Sequence, residues 1–448
     1  MSNQKLILLI FLSSVFIYSI NLWFSISGFY FVILTLLLGF CIIYFNNQFS
    51  KTVENNISEL LVFGLFVFIG ISFTSNIIDI NGELSLAMWL NRFFIFLSLL
   101  ATISLFLKKM PNKILNFLIT KSFFILLSLS LLIQVTDIRI VRKPDIDVFD
   151  VLRWGPVEMI SGHNPYETSA SVENFKGNPT KYHHYAYGPT TLYLFLPFDL
   201  IFRDPRYLLV ISNIIVAISL YLITKKSWKD QKIAELTALL YLFNPKLSYF
   251  LTYSWTDGLI VALIALAVLT ATYKINLVGI FLSLAVGIKI FYLLPLLFLF
   301  KNQSFRKLKI FVFGLSTLML IHLPFLILNW KAMYTSMVTI NTGGQTFAQL
   351  QRFTLTLATF LDRQFHYYPP QFIFPIMALL MSSFFWITVP KAINASITIA
   401  IIGVVFIAFL FGSPIANASY YFTGSQILLL SFCLAGKNFN YNFEKTKA

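Results

Sequence analysis

The chain has 448 residues, 58% of them hydrophobic and 17% aromatic, with a mean hydropathy of +0.78 and only 11% charged. Soluble domains carry about a quarter charged residues, so this composition excludes one and describes a polytopic membrane protein. The net charge of +15 gathers between apolar runs, at Lys108, Lys109, Lys113 and Lys121, at Lys225, Lys226, Lys229 and Lys232, and at Lys301, Arg306, Lys307 and Lys309; this pattern anchors cytoplasmic loops, lacks interleaved aromatics and predicts no nucleic-acid partner.

Apolar runs fall at about 6–24, 28–46, 60–78, 84–107, 122–136, 190–202, 207–223, 233–251, 258–273, 276–300, 308–328, 371–388, 393–412 and 420–436. They predict an all-α polytopic membrane protein of about 13 transmembrane helices, some of them re-entrant or broken. The first run lacks an Ala-x-Ala-like cleavage site and reads as a retained helix. Cys41 and Cys433 both lie inside apolar runs, with neither metal spacing nor a disulfide framework.

Orientation follows from parity. With Lys5 inside, five crossings place 137–187 outside and the basic stretch 108–121 inside. The basic stretch 225–232 must also be inside, so only one net crossing fits between 188 and 224. The run 190–202 is short and carries Pro197 and Asp199, and it reads as re-entrant or interfacial. Segment 276–300 lies between Lys274 and Lys301, both cytoplasmic, and holds Lys289 and Pro295 near its middle, which predicts a broken helix. The chain therefore divides into N-terminal helices (1–136), a first outer loop (137–187), a helical core (188–328), a second outer loop (329–370), and C-terminal helices with a cytoplasmic tail (371–448).

The first outer loop concentrates acids. In DIDVFDVLRWGPVEMISGHNPY, residues 145–166, Asp145, Asp147 and Asp150 stand together, followed by Glu158, Glu167 and the group Tyr182, His183, His184, Tyr185 and Tyr187. A solvated loop with capping Asp residues would also use such residues. Carboxylates beside tyrosines, however, suit a carbohydrate: the carboxylate accepts a hydroxyl proton and the rings cover C–H faces. His163, His183, His184 and His366 make no metal-ligand pattern.

These blocks resemble a known family. The stretch DIDVFDV, then SGHNPYE, then YAYGPTTLYLFLP resembles the first luminal loop of GT-C superfamily glycosyltransferases. It is similar above all to the GPI mannosyltransferase that adds the first mannose, and more loosely to bacterial polyprenol-phosphate-mannose-dependent mannosyltransferases. A second block, residues 244–296, matches the family's Asn-Pro, its acid opening a helix, and its Gly-x-x-x-x-x-Lys-Ile ending near a Pro. Gly188 stands where the family usually carries Thr before Pro189, and residues 168–181 read as an insertion.

The resemblance implies transfer of a hexose, with mannose indicated, from a polyprenyl-phosphate donor to a lipid-linked or glycan acceptor. The reaction would invert the anomeric centre on the non-cytoplasmic face of a cell inner membrane or ER membrane. A lipid phosphate is already a good leaving group, so the chemistry needs one general base and positive charge for the departing phosphate. Asp145 is the expected base. Asp147 is expected to position the acceptor, and a divalent metal at Asp145 and Asp147 is optional, not required. Lys289 is the expected phosphate ligand, with snorkelling as the plain alternative, and His322 and Arg352 are expected beside it. Tyr166, Tyr185, Tyr187 and Asp257 are the expected substrate contacts, although Asp257 also suits an N-cap. Broken helices and an intramembrane lysine also fit a lipid or sugar transporter, the rival reading.

Overall fold

The computed structural model of the protein describes residues 3–19, 25–45, 57–74, 86–106, 113–144, 146–173, 179–271, 275–302, 308–339, 354–367, 369–370, 373–388, 394–413 and 416–436. With no water in a hydrocarbon layer, each segment must satisfy its own backbone, and helices do so. The fold is accordingly all-α. In chain order the helices are α1 (Asn3–Ser19), α2 (Ile26–Phe45), α3 (Ile57–Thr74), α4 (Leu86–Phe106), α5 (Lys113–Ile140), α6 (Asp147–Ile160), α7 (Pro189–Phe202), α8 (Arg206–Trp228) and α9 (Gln231–Leu242). There follow α10 (Leu247–Thr252), α11 (Asp257–Thr270), α12 (Ile275–Val286), α13 (Leu293–Leu296), α14 (Leu308–Tyr334), α15 (Leu357–Phe365), α16 (Ile373–Thr388), α17 (Ala395–Phe411) and α18 (Ala418–Leu434). Between α6 and α7 stands one antiparallel hairpin, β1 (Ser169–Glu173) and β2 (Pro179–His184), with Ser169 opposite His184. It occupies much of the stretch that reads in sequence as an insertion.

The chain is a polytopic membrane protein. Among the described residues, Leu86–Ile103, Lys121–Ile140, Arg206–Trp228 and Leu308–Met337 are long and apolar enough to cross a bilayer, and shorter apolar helices accompany them. The centre of the fold is α18, which packs against α1, α8, α11 and α17. Interhelical hydrogen bonds fix this centre, as they do where lipid offers polar groups no partner. The Tyr18 hydroxyl lies 2.9 Å from Ser425 Oγ and accepts from Asn244 Nδ2 at 2.8 Å. Tyr241 donates to Asn213, which donates to Gln134, both over short distances. The helices α12 and α14 cross where Gly279 meets the Ile310 carbonyl and Gly314 meets Ser283 Oγ, a small-residue crossing with no room for larger side chains.

Three interruptions shape the site. The apolar run 233–251 is broken at Asn244 and Pro245 into α9 and α10, since Pro cannot donate within a helix. The run 308–328 is followed by a kink at Asn329 (φ −162°, ψ 88°), whose Oδ1 accepts from Ala332 N–H at 3.0 Å and so caps the helical turn beyond. The expected break in 276–300 falls at Gly287–Lys289: α12 ends at Val286, Lys289 is extended (φ −142°, ψ 111°), and only short turns follow to Lys301. The carbonyls freed there are taken by another segment. Gly188 N–H donates to Ile288 O at 2.9 Å and Thr190 N–H to Gly287 O at 3.4 Å. A side chain at residue 188 would run into the Gly287 carbonyl. This close approach requires glycine at residue 188.

Candidate active site

The α11 helix begins at Asp257, a carboxylate with no solvent exposure. A buried charge survives only if it is paired and hydrogen-bonded. Lys289, brought from the break after α12, donates to both Asp257 oxygens at 3.0 and 3.2 Å. The hydroxyl of Tyr292 lies 2.9 Å from Asp257 Oδ1, and Thr423 Oγ1 lies 3.1 Å from that hydroxyl and 3.4 Å from the same carboxylate oxygen. The ammonium of Lys289 also sits 4.4 Å above the centre of the Tyr420 ring, an aromatic face that favours a cation. Two residues of α18 thus complete a site that α11 and the broken segment begin.

The segment between α5 and α7 reaches the same place. Asp147 opens α6, where the helix dipole favours a carboxylate, and its Oδ1 accepts from Val148 N–H at 2.9 Å. Tyr187 stands between the two acidic segments. Burial pushes its phenol well above the ordinary value, and Asp147, Tyr420, Asp257 and Tyr185 all push in the same direction. Asp147, Tyr187, Asp257 and Lys289, separated by up to 142 positions in sequence, therefore share one electrostatic neighbourhood.

Tyr166 and Tyr185 are held beneath this neighbourhood. Their rings pack edge to face at 5.7 Å, and Tyr166 meets Phe325 in the same way at 5.4 Å. Tyr166 donates to the Tyr187 carbonyl at 2.9 Å. Thr191 donates to the Gly188 carbonyl at 2.6 Å, so the Tyr185 hydroxyl, 2.7 Å from Thr191 Oγ1, donates to that oxygen. Gly155 of α6 lies against the Tyr185 ring, with no space for a side chain. Both tyrosines are buried with their hydroxyls engaged, and they brace the turn that carries Tyr187.

His322 on α14 packs its ring edge against Gly287, two residues before Lys289. Its Nδ1 lies 3.0 Å from the Leu318 carbonyl, which assigns the proton to Nδ1 and the lone pair to Nε2. Asp145 and Arg352 lie outside the described residues. Among the described residues, no three His, Cys, Asp or Glu side chains come together as a metal site requires.

Sequence reasoning missed Tyr292, Thr423 and Tyr420. Tyr292 is one helical turn from Lys289, and the polar run Ser419, Tyr420, Tyr421 and Thr423 interrupts the apolar last helix. Both signals were present, but neither points to Asp257 without the fold.

A model of glycosyltransferase family 87 matches residues 185–433, more than half of the chain. The matched stretch opens on Tyr185 and contains Tyr187, Asp257, Lys289, His322 and Arg352, whereas Asp145, Asp147 and Tyr166 precede it. No curated protein and no solved structure matches the chain.

Proposed function

The chain belongs to glycosyltransferase family 87, a family of GT-C-type membrane enzymes, and from that premise we propose which sugar it moves, from what, and how. The donor is a polyprenyl-phosphate hexose, with mannose the sugar indicated by the resemblance of the outer-loop motif. The acceptor is a lipid-linked or glycan hydroxyl, and transfer takes place on the non-cytoplasmic face. The membership leaves the transporter reading without support.

The observation that carries this reading is the buried Asp257–Lys289 pair, against which the Gly188–Ile288 hydrogen bond sets the turn that carries Tyr187, with Asp147 acting on the same tyrosine. Acid from one segment and cation from another are the two charges the transfer needs. The acceptor hydroxyl attacks the anomeric carbon from the face opposite the phosphate, so the centre inverts. Its proton passes to the general base, Asp145, the first acid of the motif, while Asp147 positions the acceptor. The bond from the anomeric carbon to the phosphate oxygen breaks, and polyprenyl phosphate leaves with one more negative charge than it carried as a diester.

Lys289 is suited to meet that charge. An ammonium has three N–H donors, and two serve Asp257. The third can reach a phosphate oxygen while Asp257 keeps the ammonium charged and aimed. His322 and Arg352 assist at the phosphate. Tyr187 supplies a sugar-facing ring, and Tyr166 and Tyr185 hold it in place.

The test is to reconstitute the purified protein in lipid nanodiscs with a panel of polyprenyl-phosphate sugars and follow transfer or hydrolysis. Consumption of one polyprenyl-phosphate hexose, abolished by Asp145→Asn, is the expected result. Turnover of a nucleotide sugar alone would sink the proposed donor.

A further inference from the structure

We infer that Arg206 is a positioning residue for sugar transfer, fixing in one place the two chain segments that carry Asp147 and Asp257; the inference rests on the reading of those segments as the active site.

Arg206 opens α8 directly after Asp204 and Pro205. Its side chain is only 1% exposed, so each of its donors needs a partner inside the protein. Asp204 neutralises the charge locally, accepting from Nη2 at 2.7 Å and from Nε at 3.0 and 3.2 Å. The remaining donors reach backbone carbonyls of two distant segments. Nη1 donates to Val141 O at 2.6 Å, and Nη2 donates to Arg142 O at 3.2 Å and Ile138 O at 3.4 Å. These carbonyls belong to the end of α5, where a helix leaves its last acceptors without intrahelical donors. Nη1 also donates to Thr252 O at 3.4 Å, at the end of α10. The guanidinium carbon Cζ lies 5.0 Å from the centre of the Phe149 ring on α6.

The sequence positions give these contacts their meaning. Arg142 is five residues before Asp147, and Phe149 is two residues after it, so Arg206 grips that segment on both sides. Thr252 is five residues before Asp257. Between them the chain turns through Ser254, whose φ of 60° is left-handed, and enters α11. One planar fork thus ties the entrance to each acidic segment to a single point. Arginine is required for this, because lysine offers one compact charge and cannot span carbonyls on two segments while presenting a flat face to a ring.

A residue that serves only general stability would loosen the whole fold when replaced. A positioning residue would let α6 move against α8 and leave distant helices in place. Its loss would also lower kcat with little change in donor KM, because misplaced groups reduce transition-state stabilisation more than ground-state binding.

The experiment uses the full chain in nanodiscs with Cys41 and Cys433 replaced by alanine. Spin labels at Val157→Cys and Ile211→Cys report the α6–α8 distance, and labels at Phe63→Cys and Ile218→Cys report α3–α8 as a control; all four sites are exposed in the protein. Arg206→Lys and Arg206→Gln should widen the α6–α8 distribution and leave the control unchanged. They should also lower kcat by roughly 10- to 100-fold with donor KM within about twofold. Should Arg206→Gln fail to accumulate, Phe149→Leu removes only the stacked ring and should widen the same distribution to a smaller degree. An unchanged α6–α8 distance, or equal widening of both pairs, overturns the inference on its own ground. Widening of α6–α8 alone with transfer unaffected overturns it through its premise, since the positioned segments would then not be the site of reaction.

Discussion

Asp257 and Lys289 illustrate how a membrane protein keeps charge away from water. Neither ion would be tolerated alone when buried this fully, yet together with Tyr292 and Thr423 they form a neutral, hydrogen-bonded unit. Lys289→Ala therefore leaves an uncompensated carboxylate and should destabilise the protein by about 3–5 kcal/mol, in addition to ending transfer. The double variant Asp257→Leu with Lys289→Met should recover most of that stability in a thermal-unfolding measurement and recover no transfer. If the double variant is no more stable than Lys289→Ala, the pair is not the reason the lysine can be buried. For the proposed base, Asp145→Asn keeps the shape of the side chain and removes its basic lone pair. Transfer should fall by about 10²–10⁴-fold with donor binding near normal, since that is the usual worth of a general base. Asp147→Asn should cost less, or cost acceptor affinity instead. Equal activity of Asp145→Asn and wild type, with Asp147→Asn inactive, would move the base to Asp147.

At the scale of elements, the break at Gly287–Lys289 is stable because Gly188 and Thr190 use the carbonyls it releases. Gly188→Ala places a methyl group on the Gly287 carbonyl and should cost about 1–3 kcal/mol through the enforced shift. The same shift displaces Lys289, so activity should fall further than stability alone predicts; an alanine variant with wild-type melting and turnover would show that the approach is looser than described. The positions of most helices were legible in the sequence, because in a lipid-facing chain apolar length alone marks them. The run 371–388 became α16, and the charged, proline-bearing run 276–300 broke as those residues require. The contents of the segment between α5 and α7 were not legible in the same way. The α6 helix is short, acid-rich at its start and carries Pro156 internally, which in sequence looks like a solvated turn. The hairpin β1–β2 spans a stretch whose polar residues have no clear period. Tyrosines there gave an ambiguous signal for a physical reason: a phenol that stacks on a sugar and one that packs on Phe325 have the same sequence appearance. Proximity of Asp257 to Lys289 was beyond reach because hydrophobic periodicity describes one element at a time, and these residues lie on two.

For the molecule as a whole, orientation is the property most open to test. The basic stretch 225–232 anchors one side, and the outer loop around the hairpin should lie on the other. In a background with both native cysteines replaced, an impermeant thiol reagent added outside should modify Ser171→Cys and spare Lys229→Cys. Modification of Lys229→Cys instead would invert the protein and put the site on the cytoplasmic face.

The contact between the first and last helices has a consequence for how the protein is made. Tyr18 is translated 407 positions before Ser425, yet its hydroxyl is satisfied by Asn244 and Ser425, and Gln4 donates to the carbonyl of Ala435. Until those partners are translated, α1 must wait in the bilayer with polar groups unpaired, while Ser13 can already bond Thr35 on the neighbouring α2. The proposed active site shares this delay, because Tyr420 and Thr423 arrive on the same late helix. Insertion and assembly are therefore separate events in time. A chain truncated before residue 418 and released should be inserted through α17, sensitive to protease in its polar loops and unable to turn over sugar; catalysis begins only when the last helix slides in beside the first.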